Sequence, residues 1–157
     1  MKNLFLIPLL SLLILATGCH EAANEFEMKL VGTWEMVGFN EYLGLDYVED
    51  YTFHQNGSYV YRHSMREVGE RQPVGLIMIE RGNYSYNGTA LTKTATFMGY
   101  RPYDESFVPE DRLNPYPVPE PGQFELILQN DNQEFLIPGG IVGGDVIVRD
   151  KVYVRVE

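Results

Sequence analysis

The amino-acid sequence predicts an all-β protein, a single domain of about eight antiparallel strands that run up and down and close into a barrel. Three observations support this fold class. Tyr, Val, Thr, Phe and Ile are frequent from Leu30 onward, and these residues are enriched in strands. Asn-Gly pairs at 56–57 and 87–88 mark hairpin turns. No apolar repeat at helical spacing reaches the length of a helix. Closure would also remove the exposed strand edges that invite aggregation.

The first hairpin is predicted from the stretch YTFHQNGSYVYR, which begins at Tyr51. A three-residue loop with its glycine in the left-handed conformation sets Phe53 opposite Tyr59 and Tyr51 opposite Tyr61. A two-residue turn would instead set Phe53 opposite Val60. We expect the three-residue loop, because it places four aromatic side chains on one face, where cross-strand pairs stabilise a sheet. The strands in this part of the chain are predicted at 33–42, 48–54 and 58–65.

A second hairpin is predicted from the stretch GNYSYNGTALT. A two-residue Asn-Gly turn would put Tyr86 opposite Thr89 and Tyr84 opposite Leu91. Gly82 opens this stretch at a position where a bulge or bend is expected. The apolar run at 74–79 before the hairpin and residues 92–100 after it are also predicted to be strand.

The segment 101–122 breaks the strand pattern, since it holds six of the nine prolines. Proline cannot donate to a strand ladder, so this segment is predicted to be a long loop, extended near 115–121. Loops of this length are usually functional or disordered. Strands are predicted at 124–129 and 134–137, followed by the flexible stretch PGGIVGGD. The final DVIVRDKVYVRVE alternates with period two, which favours one long strand; a tight hairpin turning at 149–151 is the alternative.

The N-terminus carries an apolar run from Leu4 to Ala16, which is too short to span a bilayer and is typical of a secretory signal. The order Leu-Ala-Thr-Gly-Cys at 15–19 resembles the lipobox of bacterial lipoproteins. The resemblance implies that a signal peptide, residues 1–18, is cut off before Cys19 and that the thiol of Cys19 carries a diacylglyceryl anchor. Cys19 is the only cysteine, so it forms no disulfide within the chain.

This N-terminus predicts the organisation of the rest of the chain. We expect a polar tether at 19–29 and a folded domain at 30–157. Two or three acyl chains, such as palmitate, would hold the protein firmly in the bacterial cell envelope. In a Gram-negative bacterium the anchor would lie in the outer membrane or at the cell surface.

Charge and residue spacing argue against several classes of function. The formal charge of −10 argues against binding to nucleic acid or to anionic lipid head groups. The sequence contains no Gly-x-Ser-x-Gly elbow, phosphate-binding loop or dinucleotide fingerprint. His20, His54 and His63 lack metal-ligand spacing, although His54 and His63 fall on neighbouring strands. We therefore expect no catalytic residue, no metal and no cofactor, and enzyme is the least supported class.

The stretch LVGTWEM at the start of the domain carries a family resemblance. Together with Thr52-Phe53, with Gly-x-Tyr at 57–59 and 82–84, and with Tyr153-Val154-Arg155, it resembles the bacterial lipocalin-like lipoproteins. The resemblance covers about residues 30–100 and the C-terminus, whereas 101–145 departs from it. It implies a lipocalin-like barrel in which Trp34 plugs one end and Arg155 packs over the tryptophan ring.

Binding is the function that this composition favours. Aromatic residues make up 13% of the chain, and a tyrosine combines an apolar ring with a polar tip. A barrel lined by such side chains could hold a small hydrophobic or amphipathic ligand, whereas tight packing of the same side chains would leave it filled. The alternative is a protein-interaction or inhibitory module that acts through loop 101–122, whose extended prolines lower the ordering cost of recognition. The candidate ligand-lining residues are Tyr51, Phe53, Tyr59, Tyr61, Tyr84 and Tyr86.

Overall fold

The computed structural model describes residues 24–142 and 146–156, and of 140–142 and 146–148 it describes the backbone alone. The predicted signal peptide and Cys19 lie outside these residues. One short helix, α1 (Glu25–Leu30), precedes the strands. The strands are β1 (Gly32–Asn40), β2 (Leu45–Phe53), β3 (Ser58–Arg66), β4 (Pro73–Tyr86), β5 (Ala90–Tyr100), β6 (Asn114–Pro115), β7 (Gly122–Glu125), β8 (Ile127–Gln129), β9 (Glu134–Ile137), β10 (Gly140–Val142), β11 (Val146–Val148) and β12 (Lys151–Val156).

Helix α1 begins with a capping box, in which Asn24 and Glu27 satisfy each other's backbone N–H groups. Its last residue, Leu30, is fully buried in the main core, so α1 is packed against the sheet. Residues 24–29 fall within the segment predicted as a polar tether, whereas Leu30 is the first residue of the predicted domain. Within 24–142 and 146–156, no helix has the length and hydropathy that a bilayer crossing requires.

The strands form one antiparallel sheet of ten strands, which confirms the predicted all-β antiparallel class. Neighbouring strands follow the order β6-β5-β4-β3-β2-β1-β12-β9-β8, and β7 pairs with β5. A separate hairpin pairs β10 with β11. Among the residues that the structure describes, the ladder of hydrogen bonds does not form a closed ring, so the predicted barrel of eight strands is not confirmed. Only Leu126 separates β7, which pairs with β5, from β8, which pairs with β9.

The hairpin between β2 and β3 has the predicted register. Phe53 lies opposite Tyr59 and Tyr51 lies opposite Tyr61. The loop is closed by a hydrogen bond from the N–H of His54 to the carbonyl of Ser58, and Gly57 has a φ of 76°. A glycine takes this left-handed conformation without a Cβ penalty, which is why the loop can have three residues.

The hairpin between β4 and β5 turns one residue later than predicted. Tyr86 lies opposite Leu91 and Tyr84 opposite Lys93, instead of Thr89 and Leu91. The reason is the side chain of Asn87, whose Oδ1 accepts hydrogen bonds from the N–H groups of the second and third residues after it. This Asx turn moves Asn87 into the strand pair and leaves Gly88 and Thr89 as the loop. Moving the centre of the turn by one residue shifts the pairing of β5 against β4 by two residues, so each side chain keeps its predicted face.

The bulge predicted at Gly82 is present, as a shift in the β4–β5 register between Arg81 and Gly82. The backbone of β5 comes so close that a Cβ on Gly82 would lie 2.2 Å from the carbonyl oxygen of Thr94. Only glycine permits this approach, which explains its place in the middle of a fourteen-residue strand.

The proline-rich segment 101–122 is a long loop that is joined to β4 and β5 by backbone hydrogen bonds. Two backbone hydrogen bonds of 2.7 and 3.0 Å join Leu76 of β4 to Val108, and Val108 is buried. Phe107 packs over Gly75, where a Cβ would approach its ring to 2.6 Å. The far end of the loop pairs as β6 with β5. Residues 114–121 are exposed throughout.

The C-terminal residues form two strands, so the prediction of one long strand is wrong. β11 pairs with β10, whereas β12 pairs with both β1 and β9. The alternative, a hairpin turning at 149–151, is also wrong, because β11 and β12 do not pair with each other. The break falls at Arg149 and Asp150, where the carboxylate of Asp150 accepts a hydrogen bond from the N–H of Gly139 at 2.8 Å.

The main core lies on one face of the sheet, which we call the inner face. It is dominated by aromatic rings in mutual contact, such as Phe135 with Tyr153 at 4.6 Å and with Trp34 at 5.0 Å between ring centres. Ring pairs of this kind add stability beyond the apolar area that they bury. The cluster consists of Leu30, Trp34, Tyr51, Phe53, Tyr59, Tyr61, Tyr84, Tyr86, Leu91, Leu126, Phe135 and Tyr153.

Candidate functional site

A cavity of about 330 Å³ opens on the inner face, at the edge of the aromatic core. Its size is at the lower end of the range for ligand pockets in proteins. Residues of seven strands contribute to its wall, which contains both apolar side chains and five charged side chains. The lining residues are Glu49, Tyr51, Tyr61, Met78, Glu80, Lys93, Phe124, Ile137, Pro138, Arg149, Lys151 and Tyr153.

Strand alternation explains how the charged side chains reach this face. Side chains two residues apart on a strand point to the same side. Glu49 is therefore on the same face as Tyr51, Lys93 on the same face as Leu91, and Lys151 on the same face as Tyr153. Each of these three charged residues therefore lies beside a core residue on the inner face of its strand.

Glu80 and Lys93 form the deeper of two ion pairs, with 2.8 Å between the Nζ of Lys93 and the Oε1 of Glu80. The hydroxyl of Tyr59 donates to the same carboxylate oxygen at 2.5 Å, and Lys93 also donates to the hydroxyl of Tyr51 at 3.3 Å. The ammonium lies 5.1–5.6 Å from the centres of the rings of Tyr51, Tyr59, Tyr61 and Phe124. This arrangement surrounds a cation with aromatic faces, an attractive electrostatic contact.

Glu49 and Lys151 form the second ion pair. The Nζ of Lys151 lies 2.7 and 2.8 Å from the two carboxylate oxygens of Glu49. The hydroxyl of Tyr153 donates to the Oε2 of Glu49 at 2.8 Å. Both ion pairs thus have the same construction: a lysine in front, a carboxylate behind it, and a tyrosine hydroxyl that supports the carboxylate.

The pKa shifts of Glu49 and Lys93 favour the charged form of each of these two groups at neutral pH. Burial alone would raise the pKa of Glu49, but the hydrogen bonds from Lys151 and Tyr153 outweigh burial and hold the pKa of this carboxyl below its ordinary value. Burial alone would lower the pKa of Lys93, but Tyr51 and Glu80 outweigh burial and raise it. Burial raises the pKa of Tyr51, so the hydroxyls in this site remain neutral donors and acceptors.

A second cavity, of about 270 Å³, shares Glu49 with the first. Its other lining residues are Asn40, Tyr47, His63, Met65 and Ile77. Burial lowers the pKa of His63, so this imidazole is neutral at pH 7. A Cβ on Gly38 would lie 2.2 Å from the ring of Tyr47, so a larger residue at this position would displace that ring from the cavity wall.

The six predicted ligand-lining aromatics all face the main core, but only Tyr51 and Tyr61 line the cavity. The other four are packed among core side chains. The ring of Phe53 lies 4.8 Å from that of Tyr84. The hydroxyl of Tyr84 donates to the carbonyl of His54 at 3.2 Å, and burial raises the pKa of this phenol to about 12. Tyr86 donates to the carbonyls of Gly88 and Leu126, and Tyr59 to Glu80.

Trp34 and Arg155 lie together at the end of the sheet that α1 covers. Trp34 is fully buried and donates from Nε1 to the carbonyl of Leu30 at 2.7 Å. The guanidinium of Arg155 lies 4.1 Å from the centre of the indole ring. Arg155 also donates to the carbonyls of Val31 at 2.7 Å, Lys29 at 2.6 Å and Asn132 at 3.2 Å. Its side chain therefore links α1, β12 and the turn before β9.

The sequence interpretation missed the four charged residues of the two ion pairs. It treated the carboxylates as members of an acidic background from which no pair stood out. The strand pattern contains the signal that would have identified them, because each lies an even number of residues from a buried aromatic or aliphatic side chain on its own strand. A charged residue on the core face of a strand requires a partner of opposite charge, and here two lysines pair with two carboxylates.

Within the described residues, no group of three or more His, Cys, Asp and Glu side chains is placed to hold a metal ion. Lys, Arg, Glu and Tyr supply the polar groups of the cavity, and they can bind a ligand through charge and hydrogen bonds. No protein-family model, curated protein or solved structure matches this chain.

Proposed function

We propose that this protein binds a small amphipathic ligand in the cavity on the inner face of a lipocalin-like barrel. The observation that carries the proposal is the mixed wall of that cavity. Met78, Phe124 and Ile137 supply apolar surface, and the two ion pairs supply hydrogen-bonding groups beside it. Ligand pockets in proteins commonly combine an apolar lining with a few polar groups that orient the ligand.

The eight-stranded barrel is part of the proposal. β1–β5, β9 and β12 would be seven of its strands, and the continuous segment formed by β7, Leu126 and β8 would be the eighth. A barrel requires the sheet to curve strongly, and three contacts across the inner face support this curvature. Lys93 of β5 reaches Tyr51 of β2, Tyr86 of β4 reaches the carbonyl of Leu126, and Lys151 of β12 reaches Glu49 of β2.

The proposal includes a lipid anchor at Cys19, as the lipobox-like segment at 15–19 suggests. An anchored domain would present its cavity at the surface of a bacterial envelope membrane, where amphipathic molecules concentrate. Metabolic labelling with an alkyne-bearing palmitate tests this part. We expect label on the wild-type chain and none on the Cys19→Ala variant, and equal labelling of both would contradict it.

Loop 101–122 supports a second candidate function, recognition of a protein partner. Its residues 114–121 are exposed, and every second residue from 115 to 121 is a proline. The earlier part of the same loop is hydrogen-bonded to β4 through Val108. A fastened, extended segment loses little entropy when a partner binds it. Replacing residues 117–121 with Gly and Ser should abolish binding to such a partner and leave ligand binding in the cavity unchanged.

The main proposal is tested by native mass spectrometry of residues 20–157, which contain every residue of the described core. The protein is incubated with an envelope lipid extract, desalted, and weighed under native and then denaturing conditions. We expect additional mass that disappears on denaturation.

A cavity-filling variant provides the control for this experiment. Met78→Trp places a large ring into the cavity, whereas Val152→Trp places the same ring on an exposed position of β12. The additional mass should be lost in Met78→Trp and kept in Val152→Trp. Its absence from the wild type, or equal retention by both variants, would refute binding in this cavity.

A further inference from the structure

The two ion pairs of the cavity share an orientation. In the pair of Lys93 with Glu80 the side chains are 16% and 8% exposed, and in the pair of Lys151 with Glu49 they are 37% and 10% exposed. The ammonium group is thus the more exposed member of both pairs. The carboxylates lie behind the ammonium groups, where the hydroxyls of Tyr59 and Tyr153 hold them.

A third cation lies at the opening of the cavity. Arg149 belongs to the cavity lining and is itself exposed. The five charged lining residues therefore comprise three cations and two carboxylates, although the chain as a whole has a formal charge of −10. A molecule that enters the cavity meets positive charge first, in an otherwise acidic protein.

The space beneath the cavity limits the size of a ligand. The core below it is occupied by rings with almost no exposed surface, including Phe53, Tyr86 and Phe135. The neutral His63 and the apolar Met65 line only the smaller second cavity beside Glu49. A ligand can therefore place a short apolar group in the cavity but cannot extend a long chain through the core.

Resting on the proposed function, we infer that the ligand is a small organic anion with a short apolar body. Its acidic group lies against Lys151, Arg149 and the outer side of Lys93. Its apolar body lies against Met78, Phe124 and Ile137. The raised pKa of Lys93 supports this arrangement, because it keeps that ammonium charged in a buried position.

Ligands with other head groups meet a less favourable wall. An amine would have to displace a lysine to reach Glu49 or Glu80, since both carboxylates are already paired and supported by tyrosines. A neutral alcohol could bury the same apolar body but would gain no charge-assisted hydrogen bond, which is about twice as strong as a neutral one.

The test compares three probes that differ only in the head group: octanoate, octanol and octylamine. Each is titrated calorimetrically into residues 20–157 at neutral pH, below its critical micelle concentration. We expect octanoate to bind about tenfold more tightly than octanol, as one charge-assisted hydrogen bond predicts, and octylamine to bind most weakly. Palmitate should bind more weakly than octanoate, because the core blocks its chain.

Variants then assign the effect to the cavity. Lys151→Met should lower the affinity for octanoate about tenfold and leave the affinity for octanol unchanged. Lys29→Met is the matched control, because Lys29 has nearly the same exposure, 40%, but lies on α1. If Lys151→Met does not fold, Arg149→Met serves instead, since Arg149 is exposed.

The outcomes separate the two proposals. If none of the three probes binds, the proposed ligand-binding function fails and this inference fails with it. If octanol or octylamine binds as tightly as octanoate, or if Lys151→Met and Arg149→Met bind octanoate like the wild type, the inference of an anion is overturned while ligand binding stands.

Discussion

Arg155→Lys is the substitution whose effect follows most directly from the structure. The substitution retains the positive charge at the end of β12. It removes the planar guanidinium that lies 4.1 Å from the ring of Trp34 and that donates to three backbone carbonyls, those of Lys29, Val31 and Asn132. A lysine ammonium cannot reach three carbonyls in these directions, nor can it stack on the indole.

The size of the effect can be worked out from these contacts. A hydrogen bond from a charged donor contributes about 1.5–3 kcal/mol, and a guanidinium over an indole about 0.5–2 kcal/mol. Arg155 is only partly buried, and lysine can retain one of the three hydrogen bonds, so the lower part of each range applies. We expect Arg155→Lys to reduce the free energy of unfolding by about 2–4 kcal/mol, which lowers the Tm by roughly 10 °C in a domain of this size.

The assay uses Trp34 itself, since it is the only tryptophan in the chain. Its fluorescence reports the denaturant midpoint, and its emission maximum in the native state reports whether water has reached the ring. We expect a lower midpoint and a red-shifted native emission. Arg149→Lys is the matched control, because Arg149 is exposed and lies elsewhere on the chain.

Equal midpoints for Arg155→Lys and Arg149→Lys, with no change in emission, would refute the reasoning. They would mean that Arg155 does not hold α1, β12 and the turn before β9 together. A red shift without a loss of stability would refute only the energetic part and would leave the stacking geometry intact.

Three further predictions concern the loop and the buried carboxylates. Gly75→Ala should lower stability by about 1–3 kcal/mol and speed limited proteolysis within 101–122, because the new Cβ would lie 2.6 Å from the ring of Phe107. Gly122→Ala is the control and should have neither effect, because the space around Gly122 is open. Asp50→Asn should raise stability at pH 7 by about 1–3 kcal/mol. Burial outweighs the attraction between Asp50 and Arg62 and raises the pKa of Asp50 to about 6, so the charged carboxylate destabilises the fold at pH 7. That raised pKa makes the wild type gain stability as the pH falls from about 6 to about 4, so the two proteins should converge near pH 4 in urea melts; a constant gap would contradict the assignment. Glu49→Gln should lower stability at pH 7 by about 1–2 kcal/mol, because a neutral amide weakens the hydrogen bonds that the carboxylate accepts from Lys151 and Tyr153. The pKa of Glu49 is lowered in the folded protein, so its carboxylate stabilises the wild type above the unfolded pKa of about 4, and this stability is lost as the pH falls. The gap between variant and wild type should therefore close in acid, and a gap that widens there would contradict the sign.

Local sequence patterns predicted the parts of the fold that depend on nearest neighbours along the chain. The β2–β3 register followed from the pairing of aromatic residues, and Gly82 marked the bulge in β4. The turn before β5 was predicted one residue early, because the hydrogen bonds of the Asn87 side chain decided between two turns that the Asn-Gly pair alone permits.

Parts that depend on distant residues were not predictable from one sequence. The alternating valines near the C-terminus indicated one continuous strand, but the hydrogen bond between Asp150 and the N–H of Gly139 divides it. The aromatic candidates were correctly placed on the core face, but which of them reach a cavity depends on packing between strands far apart in sequence. Tyr51 lines the cavity, whereas Phe53, two residues later, is enclosed by core rings.

The proposed binding of a small organic anion in front of the two ion pairs leads to a specific structural prediction. A crystal structure of residues 20–157 soaked with octanoate brominated at its terminal carbon tests it directly. We predict one anomalous bromine peak between Phe124 and Ile137, with the carboxylate within hydrogen-bonding distance of the Nζ of Lys151. A cavity closed by side chains, or bromine bound only elsewhere on the protein, would contradict it.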